Sequence, residues 1–228
     1  MPKADADIVA KHVASPLVAR NLEALLESIY YILRNGNPAE HVIVFDIDDT
    51  LLFNPSDSQV SRSGNPYLGF RNKHIADVHD AAKRAGYKIH FITARSDSHF
   101  SKPLQPEVLE ANAARTKKQL AQLGMEANEQ NLILRPLSVS STREEVGAFK
   151  QSSRALIAYT DKSKKLRARP KTILLNFGDQ WSDLTAADET EYDALRRVFR
   201  GFNVLFRPDP DKEPFTRYAV KLLDARER

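Results

Sequence analysis

Apolar positions along this chain fall into two rhythms. Short, mostly apolar runs recur at 42–45 (VIVF), 87–92 (YKIHFI), 132–135 (LILR), 172–177 (TILLNF) and 203–206 (NVLF). Runs of that length, rich in branched and aromatic residues, predict strands, and the wholly apolar ones predict burial on both faces. Between them, apolar residues recur at steps of three and four. Val18, Leu22, Leu25, Leu26, Ile29 and Leu33 predict a helix over 15–34, with Ser15 as N-cap, Pro16 in its first position and Gly36 as its stop. Further helices are predicted over 72–85, 106–123, 144–159 and 216–226. Residues 54–70 are rich in Ser, Pro, Gly and Asn, which predicts a loop. Its flanking and internal aromatics, Phe53, Tyr67 and Phe70, suit either contact with a substrate or anchoring of the loop. Strands alternating with helices predict an α/β fold on a mainly parallel, five-stranded central sheet.

Composition narrows the class. The chain has 228 residues, 42% hydrophobic and 28% charged, which fits one ordinary globular domain with a small appendage. Cysteine is absent, so a disulfide framework and a zinc–thiolate site are excluded. The N-terminal twenty residues hold no continuous apolar segment of the secretory kind, and no run is long enough to span a bilayer. A cytoplasmic setting without membrane contact is the expectation. Net charge is +4 with a pI near 9.2, which favours anionic partners. The stretch 162–171 (KSKKLRARPK) holds six basic residues in ten. It is the best candidate for contact with a nucleotide or nucleic acid, although no aromatic is interleaved for base stacking.

Candidate chemistry gathers at strand ends. The first run passes directly into Asp46-Ile47-Asp48-Asp49-Thr50. Three carboxylates within four residues repel one another and lose solvation if they leave water, so they make sense beside a cation. The second run ends in Thr93-Ala94-Arg95, where a hydroxyl and a backbone turn can donate to an oxyanion. The fourth ends in Gly178-Asp179-Gln180-Trp181-Ser182-Asp183, again carboxylates after an apolar strand. Lys150 and Arg154, four apart, share one face of the helix that leads into that strand. Ligands in parallel α/β sheets bind outside the carboxyl ends of the strands. An all-oxygen ligand set suits Mg²⁺ rather than zinc.

The segment DIDDT, then Thr93, Lys150 and GDQWSD in order, resembles the four motifs of the haloacid dehalogenase (HAD) superfamily of phosphatases. FDIDDTLL, LILR, FKQSSR and GDQWSDL are similar to its class B or plant-type acid phosphatases, the IIIB branch. The resemblance covers roughly residues 41–208, which would form the phosphatase core, with 1–40 an N-terminal helical segment packed on it and 209–228 a tail with a short helix. SVSSTREE at 138–145 and the basic 162–171 stretch depart from the usual pattern. The resemblance implies a Rossmann-like three-layer sandwich without a large cap domain. It further implies Mg²⁺-dependent hydrolysis of small phosphomonoesters through an aspartyl-phosphate on Asp46. Asp48 would be the general acid and base; Thr93, Ala94 and Lys150 would bind the phosphate. Asp46, the main-chain carbonyl of Asp48, Asp179 and Asp183 would hold the metal. Alternatives are a nucleotidase or polynucleotide end phosphatase, and a non-catalytic phosphate- or nucleic-acid-binding relative.

Overall fold

The computed structural model describes residues 2–102, 105–161 and 165–223. In chain order the elements are α1 (Lys3–His12), β1 (Val13–Ala19), α2 (Glu23–Asn35), β2 (His41–Phe45), β3 (Leu52–Phe53) and α3 (Asp57–Ser63). Then come β4 (Phe70–Arg71), α4 (Lys73–Arg84), β5 (Lys88–Ser96), β6 (His99–Lys102), β7 (Gln105–Ala111) and α5 (Asn112–Gln122). The chain continues through β8 (Leu132–Arg135), α6 (Arg143–Tyr159), β9 (Thr172–Gly178), a 3-10 turn (Trp181–Asp183), α7 (Glu189–Val198), β10 (Asn203–Pro208) and β11 (Ala219–Lys221).

Seven strands form the main sheet in the order β1-β10-β11-β9-β2-β5-β8. The ladders from β11 to β8 are parallel, whereas β10 runs antiparallel to both β11 and β1. Alternate side chains of β2 feed two cores, as a pleated strand requires. Ile43 and Phe45 pack with Leu25, Ile29 and Val78 under α2 and α4. Val42 and Val44 pack with Ile157 and Ala158 of α6. A third cluster joins Trp181, Tyr192 and Leu195 to Val204 and Phe206. Helices on both faces of one sheet make the three layers.

The sheet is mixed and larger than five parallel strands, because both ends of the chain contribute to it. Residues 15–19, predicted as the start of a helix, belong to β1. Ser15 has φ of 50°, and the β1–β10 register slips between Ala14 and Leu17, so Ser15-Pro16 sits in a bulge. Pro tolerates such a place on an edge strand because no ladder hydrogen bond is asked of it. The helix begins at Glu23. The predicted C-terminal helix is replaced by β11, whose three residues are all buried between β10 and β9; residues 224–226 lie outside the described part. The fifth predicted strand is real but reversed. The helix predicted over 106–123 starts only at Asn112, since 105–111 pair with β6. The predicted loop contains α3, opened by the Ser56–Gln59 capping box and closed at Gly64 with φ of 65°. Helices α1 and α7 were not anticipated. Among the described residues no helix is long and apolar enough to cross a membrane.

Candidate active site

Strand order brings the candidate residues together. Phe45 of β2 lies opposite Phe177 of β9 on one side and Phe91 of β5 on the other. Asp46 and Gly178-Asp179 therefore emerge side by side at the carboxyl ends of β2 and β9, and Thr93 stands beside them in the last part of β5, which runs on to Ser96. Lys150 descends from the middle of α6, and the 3-10 turn after β9 returns Asp183. Gly178 is required by close approach: a Cβ there would overlap Asp183, with its Oδ2 only 2.7 Å away.

Oxygen atoms of Asp46, Asp179 and Asp183 lie within 4.8 Å of one another, and all three residues are buried. Lys150 Nζ donates to Asp46 Oδ1 at 2.5 Å and also to Asp183 Oδ1. Gln180 helps twice: its main-chain N donates to Asp183 Oδ2 at 2.8 Å, and its side-chain amide donates to Asp179 Oδ2 at 2.9 Å. One ammonium faces three carboxylates, so the pocket has an excess of negative charge. Burial pushes the Asp46 carboxyl well above the usual range, opposed by Lys150 and reinforced by Asp183 and Asp179. Burial and the nearby Asp183 raise Asp179 to about 7. Burial works against the Lys150 charge, but Asp183 and Asp46 hold its pKa above the ordinary lysine value. The cluster thus takes up either protons or a further cation, and its hard oxygen donors fit a divalent ion such as Mg²⁺.

Asp48 stands apart from this cluster. Arg95 donates to it through Nε at 2.9 Å and Nη2 at 2.7 Å, and Asn54 donates at 2.6 Å. Burial would raise the Asp48 pKa, but the Arg95 charge and these hydrogen bonds bring it below the usual value. Arg95 is itself oriented by Thr116 at 3.0 Å and Gln119 at 2.6 Å. The Thr93 hydroxyl is fully buried and points to Asp48 Oδ2 at 3.4 Å. Asp49, in the same turn, has φ of 56°, a left-handed conformation that Asp tolerates and that marks a constrained site.

Two supports of the site have no role assigned by the sequence pattern. One is Arg95 with Asn54, whose signal was their nearness to Thr93 and Asp48. The other is Arg154, fully buried, which donates to the Asp183 carbonyl at 2.6 Å and to Glu213. Glu213 carries no local signal, since it arrives from 59 residues away. Beside Asp48 lies a cavity of about 460 Å³ lined by Asn54, Pro55, Arg95, Ser96 and Arg115 among others. Tyr67 does not line it. Its hydroxyl donates to Glu110 at 2.8 Å and Lys118 lies 4.7 Å from its ring, so Tyr67 anchors the 54–70 segment to β7 and α5.

No family model matches the chain, and no curated protein matches it either. Among solved structures it is similar to the class C acid phosphatase from Bacillus anthracis, with 19% identity and a TM-score of 0.49, over 78% of this chain and 72% of that one.

Proposed function

We propose that this protein is a divalent-cation-dependent phosphomonoester hydrolase of the HAD type, in which Asp46 accepts the phosphoryl group. The observation that carries the reading is the meeting of Asp46, Asp179 and Asp183 with Lys150 at the carboxyl ends of neighbouring parallel strands. The motif resemblance of DIDDT, Thr93, Lys150 and GDQWSD adds to it, with GDQWSDL and FKQSSR leaning towards the class B branch.

A carboxylate needs no base to become nucleophilic, but a phosphate dianion repels it. Asp46, Asp179 and Asp183, with the main-chain carbonyl of Asp48, would hold Mg²⁺, which offsets that repulsion when bound. Lys150 supplies a fixed positive charge on Asp46 and beside the incoming phosphate, preorganised and out of water. An Asp46 oxygen bonds to phosphorus while the bond to the leaving oxygen breaks, and that oxygen takes a proton. Water then attacks the aspartyl-phosphate, loses a proton and frees inorganic phosphate. Asp48 suits both proton steps by its place beside the cavity. In the arrangement held by Arg95 and Asn54 it is ionised, which is the form that activates water. The leaving-group step requires a proton on Asp48 and a loosened Arg95 contact. Thr93 and the Ala94 amide would hold a phosphate oxygen.

A nucleotidase or polynucleotide end phosphatase shares this chemistry; the basic 162–171 stretch motivates it, though 162–164 lie outside the described residues. Phosphate release from sugar phosphates, nucleoside monophosphates, a 3′-phosphorylated oligonucleotide and p-nitrophenyl phosphate, with Mg²⁺ or with chelator, tests the reading. Release that depends on Mg²⁺ and vanishes in Asp46→Asn is expected. Release that persists in Asp46→Asn contradicts it, and the preferred substrate decides between the branches.

A further inference from the structure

The cavity beside Asp48 is walled by parts of the chain that the phosphoryl chemistry does not itself require. Val60 and Leu68 come from the segment between β3 and β4, Ser96 ends β5, and Asn112 and Arg115 stand at the start of α5. Its volume, about 460 Å³, lies towards the small end of ligand sites, which run from about 300 to 1,000 Å³. Asp48, as proton donor to the leaving oxygen, divides the site. The phosphate belongs on the Asp46 side of it, and the rest of the substrate on the cavity side. Part of the polar wall is fixed from within: Asn112 Nδ2 donates to the Ser96 carbonyl and to Ser98 Oγ, both at 3.0 Å.

Charge narrows what fits. Among the described residues, the charged side chains that line the cavity are Asp48, Arg95 and Arg115. Arg95 is committed to Asp48 through Nε and Nη2, and those two charges cancel. Arg115 is part-buried, and burial, then the charge of Arg95, lower its pKa, as happens when two guanidiniums are brought together partly out of water. Asp48 and Glu110 oppose that shift. Glu110 is shared, however: Lys118 Nζ donates to it at 2.5 Å and the Tyr67 hydroxyl at 2.8 Å. Asp48 and Glu110 thus face Arg95, Arg115 and Lys118, which leaves the group one positive charge in excess. The first turn of α5 carries no acidic residue, and the amino end of a helix adds to the same sign. A neutral leaving group gives no reason to place a partly desolvated guanidinium there, because burying charge is unfavourable.

Resting on the phosphatase reading, we propose that the substrate is a small phosphomonoester whose leaving group carries a second anion, a carboxylate or a phosphate, held by Arg115 in this cavity. A guanidinium matches both anions by geometry as well as charge. Val60 and Leu68 offer the short carbon chain between the two anions an apolar surface. Arg115 is then a specificity-determining residue, because a site built to bond a charged group discriminates against the analogue that lacks it.

Glycerol 3-phosphate and 3-phosphoglycerate share a phosphate and a carbon chain and differ by one carboxylate, so the ratio of their kcat/KM values with Mg²⁺ is the readout. A preference of about tenfold or more for 3-phosphoglycerate is expected, carried mainly by KM, as a charged hydrogen bond implies. Fructose 1,6-bisphosphate against fructose 6-phosphate puts the same question for a second phosphate, and a preference in that pair alone assigns the anion as phosphate. Arg115→Gln should bring the ratio close to one, and Arg115→Lys should keep most of it. A merely structural arginine would change both members of a pair alike. Turnover by the unmodified protein with both ratios near one overturns the proposal and leaves the phosphatase reading intact, whatever the fate of Arg115→Gln. So does a preference that folded Arg115→Gln retains. Should no ester be hydrolysed, the phosphatase reading fails, and calorimetric titration of Asp46→Asn in Mg²⁺ with the same pairs decides the cavity. Tighter binding of the doubly anionic member upholds the anion site, and equal binding overturns it.

Discussion

Lys150 decides the charge balance of the site. It is the sole cation within hydrogen-bonding reach of Asp46 and Asp183 among the described residues, and all three are almost wholly buried. Removing one member of a buried ion pair leaves the other uncompensated, at a cost of about 3–5 kcal/mol. Lys150→Met should therefore lower stability by that order in chelator and by less in Mg²⁺, a comparison made by denaturant titration. Arg95 decides a separate question. It holds Asp48 ionised, so Arg95→Gln should raise the Asp48 pKa and move the acidic limb of the pH–rate profile to higher pH. An unmoved limb would mean that Asp48 is not the group being titrated. Asp46, Thr93, Lys150 and Asp179 were legible in the sequence because each stands at a strand end or one helix away from it. The pairing of Arg95 with Asp48 was not legible. Both residues were visible, but only folding shows that the guanidinium turns inward to Asp48, Thr116 and Gln119 instead of outward to water.

Elements near the site were read more accurately than elements at the margins of the sheet. The run LILR became β8 over the same four residues, and VIVF became all but the first residue of β2. Both are short, apolar and bounded by turn residues, so local preference and tertiary setting agree. The stretches 15–19 and 219–221 were misread because their apolar spacing also suits a helix. What makes them strands is the neighbour they pair with, β10 in both cases, which no local window contains. The close packing of α6 against α7 and of the end of β9 against the 3-10 turn is equally tertiary. Gly147 faces Tyr192 and Gly178 faces Asp183 so closely that a methyl group would overlap either. Gly147→Ala should cost about 1–3 kcal/mol, as overpacking does, measured by thermal denaturation. Gly178→Ala should in addition weaken divalent binding, since Asp183 has to move; calorimetric titration with Mg²⁺ on both variants separates the two effects.

At the scale of the whole molecule, two sets of groups oppose each other. His12, His41, His79 and His90 all have lowered pKa values, burial being the largest cause in each. A histidine whose folded pKa lies below its unfolded value stabilises the fold above about 6.5 and loses that contribution as pH falls towards the folded value. Asp46 and Asp179 act in the opposite sense. Their folded pKa values are raised, so their contribution is present at low pH and is lost as pH rises, for Asp179 through about 7. The ion-free protein should therefore be squeezed from both sides. Mg²⁺ needs the deprotonated carboxylates, so it should raise the denaturation midpoint at pH 8 and leave it nearly unchanged at pH 5. An equal effect at both values would place the ion elsewhere.

The most direct measurement is the chemical identity of the phosphorylated residue. Protein mixed with a reactive phosphomonoester and Mg²⁺, quenched in acid, reduced with borohydride and mapped by peptide mass spectrometry should carry homoserine at position 46, because borohydride reduces an acyl phosphate. The same mark should be missing in Asp46→Asn. Turnover without any mark at position 46, or a mark on another residue that survives Asp46→Asn, would contradict the account.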